Sequence, residues 1–163
     1  MRKLNQRFRT GFLHSLHWFF AGWLAISGAG AQSISKQIIV DQFGWRPSAK
    51  KIVVFANPVN GQNNGSPYTP GSQFQIHRSS DNSTVLTGNV TVWNNGNLHT
   101  DSGDKAWHGD FSSLTTPGLY YVYDPANNLR SYEFEVRDDI YAAALKASTR
   151  TFYYQRSGTA IPA

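Results

Sequence analysis

Between Ser35 and Val136, short apolar runs alternate with turn-forming residues. Gln37 to Val40 (QIIV) and Lys51 to Ala56 (KIVVFA) are the first two runs. Gly44, Arg46-Pro47 and Ser48 lie between them and supply turn chemistry. Gln73 to Arg78 alternates strictly, with Phe74 and Ile76 on one face. Thr84 to Trp93 holds one or two strands, Trp107 to Leu114 is a weaker candidate, and Leu119 to Tyr123 is a strong one. In Ser131 to Val136, Tyr132, Phe134 and Val136 share one face, and Glu133 and Glu135 share the other. A period of two marks a half-buried strand. About seven short strands in roughly 100 residues, uninterrupted by any helical pattern, predict an all-β sandwich of the immunoglobulin-like kind.

Two segments depart from this pattern. Asn57 to Ser72 is rich in Asn, Gly and Pro, and reads as a long loop that is either a tolerated insertion or a contact to substrate or a neighbouring domain. After Asp138-Asp139, suited to a helix N-terminus, the period changes. From Ile140 to Gln155 there is no Gly or Pro, and Tyr141, Ala144, Leu145, Ser148 and Phe152 fall on one helical stripe. Gly158 and Pro162 end it. An apolar-striped helix needs something to pack on, so the chain is expected to leave a β domain and enter an α-helical one.

The N-terminus changes the meaning of the charge. Met1 to His17 is basic, Trp18 to Ile26 is apolar, and small residues end in Ala29-Gly30-Ala31. This is the pattern of a secretory signal peptide over residues 1–31, with an apolar run too short to cross a bilayer. The whole chain carries +5, but Arg2, Lys3, Arg7 and Arg9 lie in this leader with no acid, so the remainder is 11 − 10, or +1. That balance excludes a basic nucleic-acid-binding stripe. With no cysteine there is neither a disulfide nor a thiolate metal site. The expected product is a secreted monomer, free of the membrane once the leader is removed.

Candidate chemistry is sparse. Asp101, Asp104 and Asp110 with His99 and His108 lack the spacing of a calcium loop or a zinc site and read as a solvated hairpin. Trp45, Trp93 and Trp107 are either stacking platforms for sugar rings or core and interface residues. Either Tyr120 or Tyr121, after Thr116-Pro117-Gly118, is placed to close a tyrosine corner.

Three stretches together resemble the N-terminal portion of family 9 glycoside hydrolases that carry a cellulase N-terminal immunoglobulin-like domain. They are Val40-Asp41-Gln42-Phe43-Gly44-Trp45-Arg46-Pro47 followed by the basic-apolar strand Lys50 to Ala56; Asp110-Phe111-Ser112-Ser113 with Thr116-Pro117-Gly118 and the aromatic strand after it; and Phe134 through Tyr141 and Leu145 to Phe152-Tyr153-Tyr154-Gln155-Arg156-Ser157-Gly158. The resemblance implies a sandwich over 32–137. It also implies the first helix of an (α/α)6 catalytic barrel over 138–163, in a protein that hydrolyses β-1,4-glucan. Its partners are then its own catalytic domain and, through that domain, a polysaccharide. Trp107, Asp110, Phe111, Tyr141, Leu145 and Phe152 become candidates for the domain interface.

The family's catalytic Asp-Ala-Gly-Asp motif and distant acidic Glu lie beyond Ala163, so no catalytic residue, metal or cofactor is expected in this chain. Calcium remains open for the catalytic domain. Asp101-Ser102-Gly103-Asp104 imitates the motif but sits inside the sandwich, as a surface turn would. An inverting glycosidase needs two carboxyls roughly 6.5–9.5 Å apart across a sugar cleft. The alternative reading is a non-catalytic carbohydrate-binding module.

Overall fold

The computed structural model describes residues 32–61 and 63–155. The leader, Gly158 and Pro162 lie outside the described residues. The strands are β1 (Ser33–Ile34), β2 (Ile38–Ile39), β3 (Ile52–Pro58), β4 (Gln73–Arg78), β5 (Thr84–Val92), β6 (Asp104–Asp110), β7 (Gly118–Asp124), β8 (Leu129–Arg130) and β9 (Phe134–Val136), followed by α1 (Ala142–Tyr154). In one sheet the order is β1-β8-β7-β4-β5, with β9 also on β7; in the other it is β2-β3-β6-β5. The long β5 belongs to both, pairing with β4 up to Asn89 and with β6 from Val90. The sheets are therefore joined through one bending strand, and the fold is the expected immunoglobulin-like sandwich followed by a helix.

The bend has a local cause. The Phe74 ring fills the space beside Gly88 on β5 and Gly109 on β6, and a Cβ at Gly88 would lie 2.5 Å from Phe74 Cζ. Only glycine lets the strands come this close to the ring. Phe74, Ile76, Val53, Phe55 and Val122 are fully buried around it. Each such side chain stabilises the fold by about 1.5–3 kcal/mol relative to exposure.

Where periodicity was clean, element and pattern agree: β4 spans Gln73–Arg78. The weaker candidate at Trp107–Leu114 is corrected, because β6 starts at Asp104 and ends at Asp110. It pairs along the whole of β3, from Pro58↔Asp104 to Ile52↔Asp110, so backbone pairing rather than its own pattern sets its limits. The single strand expected at Ser131–Val136 is also corrected. Ser131 Oγ accepts the Val122 N–H at 2.9 Å and donates to Tyr132 O at 2.6 Å, and the strand is shortened to β9, with the separate β8 ending before Ser131. Tyr132 is consequently exposed, while Phe134 and Val136 face the core.

The tyrosine corner belongs to Tyr120, whose hydroxyl donates to Thr116 O at 3.0 Å. Tyr121 instead donates to Asn82 Oδ1 at 2.9 Å. The long loop is pinned at its far end. Buried Tyr68 donates to Asp124 Oδ2 at 2.8 Å, and Asp124 also accepts from the Ala126 N–H and from Asn127 Nδ2. Those donors satisfy a carboxylate that is 1% exposed. Burial and the neighbouring Asp124 charge push the Tyr68 hydroxyl well above its usual pKa.

Candidate functional site

Residues 40–47, 110–113 and 134–141 of the three stretches meet at one pole of the sandwich, where the chain leaves β9. Gly44 sits at φ +86, and its missing side chain leaves room for the Glu135 carbonyl and for Ile140. Any Cβ there would strike backbone, so the position requires glycine twice over. Next to it, the Trp45 N–H donates to Glu135 O at 2.9 Å and the Arg137 N–H donates to Trp45 O at 3.0 Å. Arg46 Nε reaches Asp138 O at 3.1 Å, and the Tyr141 hydroxyl donates to Gly44 O at 3.1 Å. The segment 44–46 therefore clasps the exit segment 135–141 over a sequence separation of more than ninety residues.

Beneath the clasp lies an aromatic cluster. Trp45 is 7% exposed and meets Phe111 and Phe134 edge-on, with centroids 5.2 and 5.1 Å apart and interplanar angles of 86° and 89°. Edge-to-face contacts of this kind add about 0.5–1.5 kcal/mol to area burial.

The Asp110–Ser113 stretch closes the side. Asp110 Oδ1 accepts the Ser112 N–H at 2.8 Å, and hydrogen bonding by the Ser112 hydroxyl first and its N–H second holds the Asp110 carboxyl below its usual range. Ser112 Oγ accepts the Lys51 N–H at 2.9 Å. Lys51 is fully buried, with Nζ donating to Pro47 O at 2.7 Å and Ala49 O at 2.9 Å. Burial pushes the Lys51 amine down, and the nearby Asp110 charge opposes this.

The candidate interface residues divide. Phe111 lies wholly in the core, so it supports Trp45 and presents nothing to a partner. Asp110 is exposed at the pole, and Tyr141 is bonded into it while 40% exposed. Leu145 and Phe152 lie on α1 at 68% and 74% exposure. None of the helix's residues is buried. Trp107 packs half-buried against the core, away from the pole.

The expected capping role of Asp138-Asp139 is corrected. The helix begins after Tyr141 without a side-chain cap, and Asp139 pairs with Arg137 Nε at 2.6 Å instead. Lys51 and Ile140 lie within the family-like stretches, but their burial at this site was not readable from the sequence. A lone lysine opening an apolar strand was the one local signal for Lys51.

Asp101-Ser102-Gly103-Asp104 forms a turn: Gly103, at φ +72, accepts the Val59 and Asn60 N–H groups on its carbonyl at 2.9 and 3.1 Å. Among the described residues, no three His, Cys, Asp or Glu side chains are grouped to hold a metal. Among the described tryptophans, Trp45 is core, Trp107 is half-buried and Trp93 is 41% exposed, so these three form no common strip.

Residues 33–127, more than half the chain, match the model of the cellulase N-terminal immunoglobulin-like domain. The chain belongs to this family. No curated relative matches it. Among solved structures, it is similar to a metagenome-derived family 9 endoglucanase at 34% identity and TM-score 0.57, over 77% of this chain and 22% of that one. A family 9 glycoside hydrolase from Bacteroides ovatus (22% identity, TM-score 0.56, 73% and 19% covered) shares the fold. So does a thermostable endoglucanase from Alicyclobacillus acidocaldarius (21%, 0.57, 78% and 20%).

The chain thus spans about a fifth of the length of these structures. Within this immunoglobulin-like domain, the exit pole is the place where residues 40–47, 110–113 and 134–141 of the family-like stretches come together. The family match itself stops before β9, so the clasp joins matched residues 44–46 to residues that follow the match.

Proposed function

We propose that this chain is the N-terminal part of a secreted glycoside hydrolase of the cellulase type, which hydrolyses β-1,4-glucan in polysaccharide breakdown. The sandwich supports a catalytic domain whose first helix is α1, and the exit clasp sets that helix's direction. Residues 1–31 act as the secretion leader. One observation carries the reading: an apolar-striped helix, unburied along its length, leaves from the pole where segment 44–46 is bonded to segment 135–141.

Leu145 and Phe152 then pack within the helical domain, and Tyr141 and Asp110 lie at its boundary with the sandwich. The catalytic carboxylates belong to that domain, so the 163-residue chain alone is inactive. The test is hydrolysis of soluble carboxymethyl-cellulose by this chain and by the longer protein containing it. Activity in the longer protein alone supports the proposal, and no activity in the longer protein rejects it.

A further inference from the structure

The outer face of the second sheet carries a feature that the exit pole does not use. Side chains alternate across a sheet, so Ile38, Val53 and Phe55 point inward, whereas Ile39 and Val54 point outward at 48% and 36% exposure. Ile39, Val54, Ala56 and Ala106 form the apolar floor of a depression of about 340 Å³. That volume lies at the lower end of small-ligand sites.

Trp93 walls the depression, and the His99 ring stands edge-on to the indole at 5.6 Å. The rim is polar, with Ser102, Asp104 and His108. Among the described residues, neither the Asp104 carboxylate nor the His108 imidazole bonds to another side chain.

The loop that holds the two rings is unusual. Asn94, Asn95 and Gly96 lie at φ 50, 52 and 78, and Gly103 closes the loop at φ 72. Asn and Gly are the residues that readily take left-handed backbone in tight turns, so the local sequence itself shapes this loop. The conformation is held from both ends: Trp93 N–H donates to Ala106 O at 3.0 Å and His99 N–H to Asp104 O at 2.9 Å.

We propose that this depression is a saccharide-binding subsite for a β-1,4-linked glucan chain. A glucose ring has apolar C–H faces and an edge of hydroxyls. One face fits against the Trp93 indole and the aliphatic floor, and the hydroxyls meet Asp104, His108 and Ser102. The choice of glucan rests on the function proposed above; the subsite itself does not.

Position favours a sugar over the following domain as occupant. On β6 the depression runs from Asp104 to His108, with Trp93, His99 and Ser102 at its Asp104 end, and the exit pole lies beyond Asp110. Six strand steps, about 20 Å, separate Asp104 from Asp110, and the His108 edge of the depression lies nearer the pole. The indole, at 41% exposure, and the Asp104 carboxylate thus stand toward the end of β6 opposite the one that meets the pole.

The test is titration of the chain with cellohexaose, followed by the Trp93 indole N–H resonance and by retention on insoluble cellulose. A saturable shift is expected, with affinity falling by about tenfold or more in Trp93→Ala, as for loss of a buried aromatic anchor. Backbone amide spectra confirm that this surface variant stays folded, and His99→Ala gives a second, smaller loss. No shift in the folded chain at millimolar cellohexaose overturns the proposal. So does an indole that moves only when the following domain is present, since the face is then a protein contact. Binding here with no hydrolysis by the longer protein keeps the subsite and rejects the cellulase reading. Hydrolysis without binding does the reverse.

Discussion

The exit pole and the helix leaving it are adjacent in sequence but differ in how they are held. At the pole, Gly44, Trp45 and Arg46 each bond to the exit segment, and Trp45, Phe111 and Phe134 fill the space beneath. Beyond Tyr141, α1 presents Leu145, Phe152 and Tyr153 to solvent at 68%, 74% and 55% exposure. An isolated helix of 13 residues is marginal in water. The pole is thus finished by the sandwich itself, whereas the helix depends on something the sandwich does not provide. Such a division fits a support domain that fixes the starting point of the next domain and leaves its packing to that domain.

Substitutions at the pole and on the helix can separate these roles. The largest expected effect is Trp45→Ala, which removes the ring between Phe111 and Phe134 and lowers the stability of the sandwich by about 3–5 kcal/mol. Urea unfolding of the chain measures this, and a change close to zero would mean that the cluster is not a core. Gly44→Ala comes next. Its Cβ must displace the Glu135 backbone from a left-handed position, for a loss of about 2–3 kcal/mol. If Gly44→Ala were neutral in the same assay, the close approach of 44 to 135 would be wrong.

Tyr141→Phe is smaller. It removes one hydrogen bond to Gly44 O, worth about 0.5–1.5 kcal/mol. Hydrogen exchange should show the loss as faster exchange at the Trp45 and Arg137 amides, with the Phe74 region unchanged. Uniform acceleration through the sandwich would contradict a local clasp. Leu145→Ser is the smallest in this chain, within about 0.5 kcal/mol, because the side chain has no packing to lose. In the longer protein the same substitution should cost about 2 kcal/mol or more, as for a buried leucine. Equal effects in both would remove the distinction between pole and helix.

Much of the sandwich was legible from alternation. Phe74 and Ile76 stand two apart and both are fully buried in β4. Legibility failed where pairing or a single side chain decided the outcome. The limits of β6 come from its register with β3, and the run expected from Ser131 is shortened to β9 where the Ser131 hydroxyl bonds to the Val122 N–H and to Tyr132 O. The start of α1 misled because Asp139 finds Arg137 rather than a helix N-terminus.

Of the candidate site, the contributing stretches were readable but their meeting point was not. The Tyr141 to Gly44 bond joins residues 97 apart, and no local pattern encodes it. Asp110 and Phe111 were both interface candidates, yet alternation past the end of β6 leaves Asp110 exposed and turns the Phe111 ring into the core.

The central claim is that the sandwich supports the domain that α1 begins. The most direct test removes residues 32–137 from the longer protein and compares thermal unfolding of its catalytic domain with that of the intact protein. The account predicts a lower melting temperature and reduced hydrolysis of β-glucan after removal. An unchanged melting temperature with full activity would contradict it.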